Sequence, residues 1–120
     1  MSIEQLEDIE QLGRRAVACP RWRWMDGMLY KQNGVGVRPV IATAPIIQGG
    51  GLPDLTDPAT LGCLLALVRE AWGNPNIHMV WLIGGFDTWQ LWNTERPILA
   101  PLLKFHTEAA ALVAALEVAP

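Results

Sequence analysis

The chain has 120 residues, 51% of them hydrophobic and 18% charged, with six tryptophans and a formal net charge of −3. A chain of this length forms one domain, here residues 1–120, and buries a core without metal or disulfide staples, while its apolar content excludes a disordered chain. An isoelectric point near 5.2 excludes a non-specific grip on nucleic acid, which requires clustered cations to displace counterions from phosphate.

The opening stretch MSIEQLEDIEQL is acidic where a signal peptide has a basic start and an apolar run, so a cytoplasmic protein is expected. Ser2 and Gln5 fit a capping box, and Ile3, Leu6 and Ile9 share one stripe, which predicts an amphipathic helix over 3–18 that ends before Pro20. Residues 21–25 alternate Arg and Trp, and Asp26-Gly27 is a favoured hairpin turn, so 21–25 and 28–32 are expected to pair. Asn33-Gly34 repeats the turn signal before VGVRPVIATAPII, a third strand placed at an edge or bent by Pro39 and Pro45. The longest uncharged run, Val40 to Leu52, is broken by Pro45 and three glycines and does not predict a membrane span.

Asp57 followed by Pro58 marks a helix start, with Leu61, Leu64, Leu65, Val68 and Trp72 on one face and Gly73 as the stop. This helix, 58–72, is the expected centre of the core. IHMVWLI then reads as an interior strand, Gly84-Gly85 as a turn, and FDTWQLW as its hairpin partner. ILAPLLKF follows as an edge or irregular strand because of Pro101, and Thr107 caps a last helix, EAAALVAALEVA, with Leu112, Val113 and Leu116 facing inward. The order α-βββ-α-βββ-α predicts an α+β fold: one antiparallel sheet of about five or six strands in two meanders, with helices packed on one face.

Chemistry-bearing residues are few. Cys19 and Cys63 have neither CxxC spacing nor a nearby His pair, which points to small buried hydrophobes rather than a disulfide, a zinc site or a nucleophile. Asp54 and Asp57 could be read as a metal pair, but Asp57 is better used as a helix cap. His78 reads as a core or edge histidine and His106 as a surface turn residue. Gln48-Gly49-Gly50-Gly51 lacks the Lys-Ser/Thr ending of a phosphate loop and reads as a connector. No catalytic residue, metal or cofactor is assigned.

The tryptophans carry the functional reading. In a strand, Trp22 and Trp24 share one face and Arg21 and Arg23 the other, so the simplest assignment buries the rings as core anchors and solvates the cations. Trp89 and Trp92 fall on opposite faces of their strand, so one of them should be exposed unless something covers it, whereas Trp72 and Trp81 read as core. A tryptophan near arginines suits stacking on a nucleobase with phosphate held by guanidinium, and equally suits the centre of a protein interface. The candidate contacts are Arg21, Trp22, Arg23, Trp24, Trp89 and Trp92.

Three segments, RRAVACPRWRWMDGM at 14–28, LPDLTDPATLGCLLALVREAWG at 52–73 and TEAAALVAALEVAP at 107–120, resemble small phage and prophage proteins of uncharacterised function, most specifically through DPATLGCLLALVREAWG. The resemblance implies an origin in a bacterial virus or prophage and brings no catalytic residues with it. The expected role is a non-catalytic accessory protein that binds in the host cytoplasm, countering host defence by contacting a host protein or sequestering a small nucleotide-like ligand. Alternatives are a structural or assembly protein that forms a homo-oligomer, and a small hydrolase or nuclease. A homo-oligomer is expected under either binding or assembly, given the hydrophobic content.

Overall fold

Two well-capped helices and a hairpin of β-branched and aromatic residues dominate the computed structural model, which describes residues 3–32, 36–39, 51–82, 88–99 and 105–120. Helix α1 spans Ile3–Ala18, and strands β1 (Leu29–Gln32), β2 (Gly36–Pro39) and β3 (Leu52–Pro53) follow. Helix α2 spans Pro58–Trp72, strands β4 (His78–Leu82) and β5 (Thr88–Trp92) come next, and α3 (Glu108–Glu117) completes the order.

The helices form where their caps and periodicity place them. Asp57 caps α2 by accepting from Thr60 N, Pro58 takes the first turn, and Gly73 ends the helix in the left-handed region at φ 62°. Thr107 caps α3 by accepting from Ala110 N. Ala109, Ala111, Leu112, Val113, Ala115 and Leu116 of α3 are buried, because this helix is apolar on nearly every face and packs against α1, α2 and β5. Its central position gives it the role expected of α2.

The class is α+β, but the single sheet of five or six strands is not formed. Two separate antiparallel pairs, β1–β2 and β4–β5, replace it, and the two-residue β3 adds only Tyr30↔Pro53 and Lys31↔Leu52 to the free side of β1. Residues 21–25 are not a strand. Asp26-Gly27 does turn the chain, with Gly27 at φ 99° and Met28 N donating to Met25 O at 3.2 Å, yet no hairpin grows from it. The reason is that both edges of β1 are already occupied, by β2 and β3, leaving none for 21–25. Of the expected third meander strand, 36–39 forms β2 and 40–50 lies outside the described residues; of ILAPLLKF, 100–104 lies outside them, while Phe105 makes an isolated bridge to Trp89 and the preceding Pro97 one to Trp92.

One side chain joins the halves. Thr60, on the first turn of α2, is 0% exposed. Its hydroxyl donates to Asp57 Oδ2 at 2.8 Å and accepts from Leu29 N at 2.8 Å, so the cap of α2 also anchors the first residue of β1. Trp72 Nε1 donates to Ala115 O at 2.9 Å and ties α2 to α3. Arg15 makes a two-pronged ion pair with Glu117 that joins α1 to the end of α3, and Arg21 donates to Pro120 O.

Thr60→Val keeps the shape at this site but leaves the Leu29 N–H buried without its acceptor. It should lower the unfolding free energy by about 1–3 kcal/mol in urea denaturation, with Thr60→Ser recovering most of the loss.

Candidate interaction surface

The expected contact residues fall into two groups. In the first, Trp22 and Trp24 are half-buried against the core, their rings edge to face at 5.2 Å, and Trp24 meets Tyr30 in the same manner at 6.2 Å. The Trp22 indole N–H is buried and has no acceptor among the described residues, so packing alone holds that ring. These tryptophans are core anchors, as the alternation suggested, although no strand carries them. The arginines point to solvent but are engaged: Arg23 Nη1 binds both carboxylate oxygens of Glu70 at 2.7 and 2.6 Å, and Arg21 reaches the backbone of Pro120. A guanidinium already paired with a carboxylate has to give up that partner to receive a phosphate.

The second group lies on the β4–β5 hairpin. Trp81 and Trp89 are direct register partners, and their rings stack in a tilted arrangement at 4.9 Å. They share a face with Met79 and Leu91, of which Leu91 is 1% exposed and Met79 packs against the core. Trp81 sits where this face runs past the core and is 39% exposed, a correction to its reading as a core residue. On the opposite face Trp92 lies across from His78 and donates from Nε1 to Gln90 Oε1 at 2.9 Å, while His78 is exposed and its Nδ1 lies 2.9 Å from Asn76 O. Both Trp89 and Trp92 are half-buried, so the open ring of the hairpin belongs to Trp81. Direct pairing across a hairpin could have suggested the Trp81–Trp89 stack, had a turn of the right length been assigned. Period alone suggested an interior strand.

The remaining candidates have structural partners. Asp54 is buried, accepts from the backbone N–H and the hydroxyl of Thr56, and lies 4.0 Å from Lys31 Nζ, while Asp57 is occupied as a cap. The structure therefore does not bring these two carboxylates to one open site. Among the described residues no three His, Cys, Asp or Glu side chains group as metal ligands. Of the glycine-rich connector only Gly51 is described. His106 is exposed. An open depression of about 480 Å³ on α1, lined by Glu10, Gln11, Arg14, Arg15 and Ala18, brings no further element to a ligand.

Burial pushes up the thiol pKa of both cysteines, Cys63 with a smaller contribution from the Asp57 charge and Cys19 with one from Glu117. Cys63 Sγ lies against the 26–27 turn, 3.5 Å from Asp26 O, and the turn favours glycine because position 27 sits at φ 99°.

No family model, curated protein or solved structure matches this chain. No helix among the described residues is long and apolar enough to cross a membrane.

Because folding raises both thiol pKa values, the native cysteines should alkylate more slowly than an unfolded thiol at pH 8, with the rate still rising at pH values where a free thiol has reached its plateau. Their contribution to stability is present below the unfolded thiol pKa and lost as pH rises through the folded value. Iodoacetamide labelling against pH, with and without urea, checks the sign.

Proposed function

We propose that the protein is a non-catalytic phage or prophage accessory protein that acts by contact with a host protein in the cytoplasm, countering host defence. The observation that carries the contact is the exposed Trp81 ring backed by Trp89 on a two-stranded hairpin. A large ring held rigid by a neighbour loses little entropy on binding and buries much apolar area, which is why tryptophan dominates interface hot spots. The phage assignment rests on the resemblance of 14–28, 52–73 and 107–120 to phage and prophage proteins.

Protein contact is favoured over sequestration of a nucleotide signal for a specific reason: Arg23, the cation beside the Trp22–Trp24 pair, is already paired with Glu70. The binding role thereby shifts from Arg21, Arg23, Trp22 and Trp24 to the hairpin, with Trp89 and Trp92 as flanking residues.

Native mass spectrometry before and after incubation with bacterial host lysate tests this. Capture of a defined host protein by the natural chain, weakened more than tenfold by Trp81→Ser while the circular dichroism stays native, is the expected outcome. Trp22→Ala should instead lower the melting temperature by opening the core. A mass gain of a few hundred daltons in place of a protein would overturn the contact reading in favour of a small ligand.

A further inference from the structure

Among the described residues, the hairpin has one edge paired and the other unpaired. Trp89 N donates to Phe105 O at 2.7 Å and Leu91 O accepts from Ile98 N at 2.9 Å, so these two residues aim their peptide groups away from β4 and find partners there. Ladder alternation then makes His78↔Trp92, Val80↔Gln90 and Leu82↔Thr88 the bonded pairs of β4–β5. By the same alternation Met79 and Trp81 aim their N–H and C=O groups outward from β4. Among the described residues no backbone group bonds to them on that side. The strand HMVWL carries no Asp, Glu, Lys, Arg or Pro, the residues that normally block an edge from pairing.

We propose that a second copy of this chain occupies that edge, β4 pairing antiparallel with β4 about a two-fold axis at Val80. An antiparallel strand is self-complementary about such an axis. Met79 of each copy exchanges both backbone bonds with Trp81 of the other, and Val80 faces Val80. The chain carries a net charge of −3, so two copies repel in general, and a strand without carboxylates or cations is where they meet without placing like charges together. Growth stops at two because the far edge of β5 is already closed by Ile98 and Phe105, giving a closed dimer with sheet order β5-β4-β4-β5 and no filament. Pleat alternation puts both Trp81–Trp89 stacks on one face of the joined sheet, flanking the axis.

This pairing is independent of any host contact, because its test contains no host component. Sedimentation or light scattering should give the natural chain twice the 13.2 kDa of one copy. Val80→Lys and Val80→Glu each place like charges face to face and should be monomeric with native circular dichroism, and an equimolar mixture of the two should regain the dimer mass. A natural chain that stays monomeric as concentration is raised, or a Val80→Lys chain that stays dimeric, overturns the proposal.

Discussion

The fold hangs on a single hydroxyl. Thr60 lies on the first turn of α2, inside the Asp57 cap, and accepts the backbone N–H that opens β1. A carboxylate at a helix N-terminus is already favoured by the unpaired N–H groups there, and the hydroxyl passes that preference on to a strand more than twenty residues earlier in the chain. The turn at Asp26-Gly27, the seating of Cys63 against it and the start of β1 are thereby set relative to α2. Since β1 holds β2 on one side and β3 on the other, the first sheet is positioned by the same contact.

This dependence also explains which parts of the fold were legible in the sequence. Helix ends are local events: Asp57-Pro58, Gly73 and Thr107 declare themselves by the backbone groups they satisfy, and α2 and α3 start where those signals put them. Strand partners are not local. Asp26-Gly27 turns the chain as its residues require, but whether a turn becomes a hairpin depends on whether the flanking strand still has an edge to offer. The burial of Thr60 was invisible for a related reason, because a lone threonine among apolar neighbours reads as solvent-facing until a distant N–H needs it.

The aromatic residues divide along the same line. Trp22 and Trp24 were legible as core anchors from alternation, and burial alternates along 21–24 without a ladder. Arg23 looked free because nothing in the sequence announces Glu70, which the geometry of α2 brings to it. Trp81 looked buried because IHMVWLI is apolar throughout, yet it is 39% exposed while its face neighbour Leu91 is 1% exposed. The surface best suited to contact was therefore hidden in the sequence by its resemblance to core.

The small side chains of α3 have a consequence for how the molecule comes to be made. Ala109, Ala111 and Ala115 let this helix sit close to α1, α2 and β5 at once, so the interior is shared among segments that are far apart along the chain. A nascent polypeptide has the first two helices and both strand pairs outside the ribosome before α3 follows, yet it has nothing to close them over. Until then it stays partly open with apolar surface showing, which is the interval when the chain is most exposed to chaperones and proteases.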